Sequence, residues 1–203
     1  VCPPRLAQWQ VVIVPIFRSD DERASVMETA ERLLRELRAA GIRTHLDGRE
    51  GMKPGAKYYE WEARGVPLRL EVGPRDVAAG TVMLARRVGP KKESVPMQGL
   101  AARLDAEMAT MQTALLTAAR ERREAASLRG ATKDEFIARI EGEGGFIYAG
   151  FCGSPECENA IKDATKATIR VLPDEEFRSP TPPAACVWCG KPSSVEAVWA
   201  KAY

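Results

Sequence analysis

The sequence predicts an α/β protein, and three observations carry that reading. Up to about residue 100, apolar runs of strand length alternate with stripes of helical period. A long amphipathic stripe follows, and four of the five cysteines fall between Cys152 and Cys189. Strand–helix–strand–helix–strand order implies right-handed crossovers and a mainly parallel sheet covered by helices. The boundaries are placed at 1–100 for a first domain, 101–142 for connecting helices and 143–203 for a small C-terminal α/β domain.

The elements follow from local chemistry. Residues 1–9 hold two consecutive prolines and read as a connector. Residues 10–16 are nearly all apolar and β-branched, which suits a buried parallel strand. Ser19 to Glu22 has the spacing of a capping box. Val26, Ala30, Leu33, Leu34 and Leu37 then form a helical stripe, with Gly41 as its stop. Ile42, Thr44 and Leu46 alternate with Arg43, His45 and Asp47 in a second strand. Residues 47–54 form a loop. Pro54 suits the first turn of a short helix that Gly65 ends. In the strand opened by Pro67, Leu68, Leu70 and Val72 share one face, and Arg69 and Glu71 the other. Gly73-Pro74 ends it. Residues 81–87 read as a fourth strand and 94–97 as a short fifth.

Leu104, Met108, Met111, Leu115 and Ala118 place one long helix that runs to about Gly130. Thr132 to Glu135 is a second capping box, followed by Phe136, Ile137 and Ile140. Strands are expected at 146–149, 168–172 and near Val198, with a helix from Ser154-Pro155 and a proline-rich loop after residue 172.

The bulk numbers exclude some functions. With a net charge of +2 the chain is no polybasic tail, so nucleic-acid binding has to come from local patches. Its longest apolar run, residues 11–17, is too short to span a bilayer, and the N-terminus lacks the pattern of a secretory signal. Clustered cysteines argue against a secreted disulfide framework and for a reducing, cytoplasmic compartment.

Cys152 and Cys157 are separated by four residues, and Cys186 and Cys189 by two. Two such pairs can offer four thiolates to one tetrahedral zinc ion. The alternatives are four reduced, buried thiols, or a redox pair at 186 and 189. Arg49, Lys53 and Lys57 sit on the loop and the start of the short helix, where they are either RNA contacts or solvated surface. Arg86, Arg87, Lys91 and Lys92 form a second basic cluster, fit for phosphates or simply an exposed turn. His45 has no base or nucleophile beside it in the sequence pattern, and no Gly-rich phosphate loop is present.

The run PGAKYYEWEARGVPLRLEVGPRD resembles the anticodon-binding domain of class II aminoacyl-tRNA synthetases, specifically prolyl-tRNA synthetase of the archaeal and eukaryotic type. The segments GFCGSPECENAIKDATKATIRVLP and CVWCGKP and the terminal AKAY resemble that family's C-terminal zinc-binding domain. The similarity covers essentially the whole chain. It implies a mixed five-stranded sheet flanked by helices, then a long helix and a small α/β zinc-binding domain. It also implies a structural zinc on the four cysteines and anticodon readers among Arg49, Lys57 and Glu60. With Lys53, Arg86 and Arg87 these make the expected RNA-binding set. The implied partners are the anticodon stem-loop of proline tRNA, a catalytic domain that uses ATP and Mg, and a second copy in a homodimer. The resemblance further implies that the terminal Tyr203 reaches towards that catalytic domain. No adenylate-forming motif is present here, and the chain opens on Val, so a fragment of the longer enzyme is expected. A stand-alone tRNA-binding accessory protein and a thiol oxidoreductase are the alternatives.

Overall fold

The computed structural model describes residues 2–89 and 92–202, in two compact units. The first runs to Thr117 and the second starts at Ala118. In the first, β1 (Val11–Pro15) leads through α1 (Asp20–Ala39) to β2 (Thr44–Leu46). β2 leads through α2 (Pro54–Ala63) to β3 (Leu68–Val72). Then come α3 (Pro74–Ala79), β4 (Thr81–Arg86), β5 (Lys92–Pro96) and α4 (Leu100–Ala125). The sheet order is β2-β1-β3-β4-β5, with β2, β1 and β3 parallel and β4 and β5 antiparallel additions. The sheet is therefore mixed rather than mainly parallel.

The crossover from β1 to β2 and the one from β2 back past β1 to β3 run in opposite directions along the sheet, and their helices cover opposite faces. Val26, Ala30, Leu33 and Leu37 of α1 pack with Val11, Ile13, Leu68 and Leu70, and Leu104, Met108 and Met111 of α4 join the same core. Trp61 of α2 packs instead on Val12, Val14 and Val66, the alternate residues of β1 among them. That second core is small, and the half of this face formed by β3, β4 and β5 is left to a groove.

Two elements escape the sequence reading. α3 starts at the residue expected to end a strand. Asp76 accepts from the Gly73 N–H at 2.9 Å, and Gly80 closes the helix in the left-handed conformation at φ 66°. α4 stops at Ala125, and residues expected to continue it become β6 (Ser127–Arg129), because β7 offers them a parallel ladder. The second unit continues with α5 (Lys133–Glu141), β7 (Phe146–Phe151), α6 (Pro155–Thr165), β8 (Ala167–Val171) and β9 (Val195–Lys201). Its sheet order is β6-β7-β9-β8, so the C-terminal strand is central. Trp199 meets Phe136 and Phe151 edge-on at 6.0 and 5.5 Å. The stretch expected as connecting helices at 101–142 divides between the two cores. Leu104 and Met108 pack in the first, Phe136 and Ile140 in the second.

One buried carboxylate holds the loop, α2 and the end of β2 together. The Asp47 N–H extends the sheet by donating to the Ile13 carbonyl at 2.9 Å. Its carboxylate accepts from Arg49 Nε and Nη2 at 2.8 and 2.7 Å and from Trp61 Nε1 at 2.8 Å. Lys57 Nζ donates to the Asp47 carbonyl at 3.1 Å and lies 3.8 Å from Oδ1. Burial alone would push the Asp47 carboxyl up. The hydrogen bonds from Arg49 and Trp61 and the charge of Lys57 more than offset this and hold it well below the usual range.

Asp47→Asn should therefore cost the first unit about 3–5 kcal/mol at neutral pH, because a buried ammonium loses its counter-charge. A carboxyl with a depressed folded pKa stabilises above its unfolded value, near 4, and stops doing so as pH falls towards the folded one. Urea midpoints measured from pH 7 down to 3 should fall for the wild type below about pH 4. In Asp47→Asn that part of the acid dependence should be missing. Matching profiles would contradict the assignment.

Candidate metal centre and nucleic-acid interface

The four cysteines converge. Cys152 follows β7, Cys157 stands in the first turn of α6, and Cys186 and Cys189 sit on the loop before β9. Their four sulfurs all lie within 4.8 Å of one another, with Cys152 and Cys189 Sγ 3.8 Å apart. Tetrahedral zinc with Zn–S near 2.3 Å sets sulfurs about 3.8 Å apart, so the cluster fits such an ion. Backbone contacts build it. The Ser154 hydroxyl caps α6 by accepting from the Cys157 N–H at 3.4 Å. The Cys186 loop is tied by Cys186 N–H to the Lys191 carbonyl at 2.8 Å and Gly190 N–H to the Cys186 carbonyl at 3.0 Å.

That loop crosses directly over β7, with the Val187 N–H on the Gly150 carbonyl at 2.9 Å. A Cβ on Gly150 would lie 2.2 Å from the Ala185 carbonyl oxygen, so only glycine allows this approach. Burial first, then hydrogen bonding with Cys189 and Cys152, pushes the Cys157 thiol up to about 12. Burial acts the same way on Cys186, but N–H groups around the loop outweigh it and bring that thiol to about 7.

The first unit carries two grooves on different faces of α2. The larger, about 480 Å3, runs between α2 and the open half of the sheet. Gly55, Tyr58, Tyr59 and Glu62 line it at the i, i+3, i+4, i+7 spacing of one helix face. Across from them stand Arg69, Arg87 and Lys92. Arg69 donates to Glu71 Oε1 from Nε and Nη2 at 3.1 and 3.0 Å and to Glu62 from Nη1 at 3.1 Å. Arg87 reaches the other Glu62 oxygen at 3.0 Å, and Lys92 pairs with Glu71 at 2.7 Å.

Three cations thus face two carboxylates, leaving one positive charge in excess. The Arg69 guanidinium lies 3.8 Å over the Tyr58 ring and Lys92 Nζ 5.2 Å from it. Burial, then the nearby Glu71, pushes the Tyr58 hydroxyl well above its ordinary range. Tyr59 is 77% exposed, a free aromatic surface at the groove's edge.

The expected RNA-binding residues do not form one surface. Arg49 and Lys53 line the smaller groove, about 390 Å3, with Arg49 paired to Asp47 and to Glu60 at 2.7 Å. Glu60 also pairs with Arg64. Lys57, expected to project, is only 4% exposed, because its ammonium serves the buried Asp47. Arg86 and Arg87 are neighbours in sequence but point to opposite faces of the sheet, as strand alternation demands. Both border the large groove, but Arg87 pairs there with Glu62, whereas the Arg86 side chain is 6% exposed in ion pairs with Glu93 and Glu107 on the other face. Tyr203 and Lys91 lie outside the described residues.

The sequence reading passes over Glu62, Arg69 and Glu71 as site residues and names Lys92 only in the basic cluster with Arg86, Arg87 and Lys91. Their signal was a charged face on β3 beside a helix whose residues 58, 59 and 62 share one side. His45, set aside as non-catalytic, stacks between Trp9 and Trp61 at 5.4 and 4.8 Å. Among the described residues no helix is long and apolar enough to cross a membrane.

Residues 10–107 match the family model described as the anticodon binding domain, and residues 133–203 match that described as prolyl-tRNA synthetase, C-terminal. The chain is 39% identical to a protein named proline–tRNA ligase from Cenarchaeum symbiosum, over all of this chain and 41% of the relative. Proteins of the same name from Christiangramia forsetii and Chloroflexus aggregans are each 42% identical, again over the whole chain, which spans 41% and 42% of their lengths. The chain thus spans about two fifths of the curated relatives it matches. The ordered pair of domain matches, with similarity along the full chain, places it in the prolyl-tRNA synthetase family, as the family's C-terminal part.

Proposed function

We propose that this chain is the tRNA-recognition part of an enzyme that joins proline to its tRNA, and that unpaired anticodon bases bind in the large groove. The observation that carries this is the groove's composition, with an exposed Tyr59 beside a cationic wall and paired carboxylates. Unpaired bases stack on aromatic rings. Guanine offers O6 and N7 to arginine or lysine, and its N1–H and amino group to a carboxylate such as Glu62. Arg49 and Lys53, in the smaller groove, are then placed for RNA phosphates, and Lys57, Glu60 and Arg86 act as supports for the walls.

ATP and Mg would serve a catalytic domain that this chain does not contain. That domain, a second copy in a homodimer, a cytoplasmic setting and a role for Tyr203 beside the active site belong to the same reading. The relatives' name, proline–tRNA ligase, supports the catalytic part of that reading.

The test uses a stem-loop RNA bearing the proline anticodon and a second with its guanines replaced. Tyr59→Ala should weaken binding to the first by about 1–3 kcal/mol, the usual worth of one stacked base, with no change in melting temperature. Preference for the guanine-bearing loop should shrink with it. If Tyr59→Ala binds like the wild type while Lys53→Ala loses affinity, the site is the smaller groove.

In the second unit we propose that Cys152, Cys157, Cys186 and Cys189 hold one structural zinc. Structural zinc contributes apparent binding energies of roughly 10–16 kcal/mol, comparable to the stability of a whole domain. Chelation or Cys189→Ser should loosen residues from about 143 onward in hydrogen exchange and leave the first unit's protection intact. One zinc per chain by elemental analysis is expected. Absence of metal together with four freely titrating thiols would reject the site.

A further inference from the structure

The edge formed by β4 and β5 carries a second ion network on the face opposite the large groove. We propose that this network positions the groove's cationic wall, with Glu107 of α4 as its positioning residue. The inference rests on the groove being the RNA site. Strand alternation separates the two sets of charges. Arg69 and Lys92 both stand opposite Ala85 in register, on the groove face, and Arg87 lies two residues beyond it. Glu93 stands opposite Leu84, and Leu68 opposite Arg86, on the face where α4 packs.

On that face Arg86 donates to both Glu107 oxygens, from Nε and Nη2 at 2.7 Å each, and to Glu93 at 2.6 Å. Arg103 closes the set, reaching Glu107 at 3.0 Å and Glu93 at 3.3 Å. Two arginines and two glutamates cancel in charge. The bond from Arg86, the largest influence, holds the Glu107 carboxyl below its ordinary range. A two-point fork fixes a guanidinium in direction as well as in place.

Two of the three groove cations have a network member as chain neighbour: Arg86 precedes Arg87, and Glu93 follows Lys92. The ends of β4 and β5 are therefore tethered to α4 from behind, at the residues that present charge to the front. Glu107 itself lines a separate cleft of about 320 Å3, so it need not touch RNA in the groove to affect its binding. Holding the wall in place beforehand removes part of the ordering cost that RNA would otherwise meet on binding.

The sign of the effect makes this testable. Removing a carboxylate makes the chain more cationic, and simple electrostatics predicts tighter RNA binding. Positioning predicts the reverse. Stem-loop RNA binding by fluorescence anisotropy across a salt series should show Glu107→Gln about three- to tenfold weaker. The bound fraction at saturation should be unchanged, and the salt dependence shallower by up to about one phosphate contact. Glu107→Asp should recover part of the loss. Glu93→Gln, at a more exposed site, should shift affinity and salt dependence the same way and serves if Glu107→Gln melts. Equal or tighter binding by the variants, or a loss matched by a smaller active fraction with the salt slope kept, would overturn positioning alone. Failure of the wild type to bind would overturn the RNA reading and the inference together.

Discussion

Opposite charges placed two residues apart on a central strand set the character of the first unit. Arg69 and Glu71 of β3 are both more than nine-tenths buried, on the face that α2 covers only in part. Charges so placed are costly unless they are paired and hydrogen-bonded. Their satisfaction recruits Glu62 from α2, Lys92 from β5 and the ring of Tyr58. The result is a floor of fixed charge where an apolar floor would have invited another helix. α2 stays to one side, Tyr59 stays in solvent, and a groove remains that has hydrogen-bonding capacity and an excess of positive charge. The same arrangement that satisfies β3 gives this face the fixed donors and acceptors that the proposed reading of bases calls on.

The second unit depends on a different constraint. Its sheet is small, and its core rests on Phe136, Phe151 and Trp199 around the C-terminal strand. The long loop between β8 and β9 holds little regular structure beyond one short turn at Glu175–Phe177. What returns it to the sheet is the crossing over Gly150 and the meeting of its two cysteines with the pair after β7. Trp188, between those two cysteines, packs under Lys133 at 3.7 Å, so the cluster is joined to the start of α5 as well. A metal at this point would tie three otherwise separate segments.

Much of this was legible in the sequence, for reasons that can be named. β1 announced itself by a β-branched run, α1 and α5 by capping boxes and apolar stripes, and the cysteine cluster by spacing. These are local signals that tertiary structure only had to accept. β6 was not legible, because three residues at the end of a strongly helical segment became a strand only through pairing with β7. α3 was hidden because glycine and proline after a strand read as a stop, while their role as the start of a helix depends on Asp76. The candidate site was legible as a region but not as a surface. Lys57 is exposed or buried according to where Asp47 lies, ten residues back across a loop. Arg86 and Arg87 look like one basic patch until strand alternation divides them. Glu62 and Arg69 belong together only through the packing of α2 on β3.

The claim that the groove between α2 and β3–β5 receives RNA is tested most directly by mapping bound RNA onto backbone amides. Titrating a stem-loop with the proline anticodon into isotopically labelled chain should move the signals of Gly55, Tyr59, Arg69 and Lys92 most. Signals of the loop at 49–53 should move less, and those of the cysteine cluster not at all. Shifts confined to that loop, or centred on the outer face of α4, would contradict it.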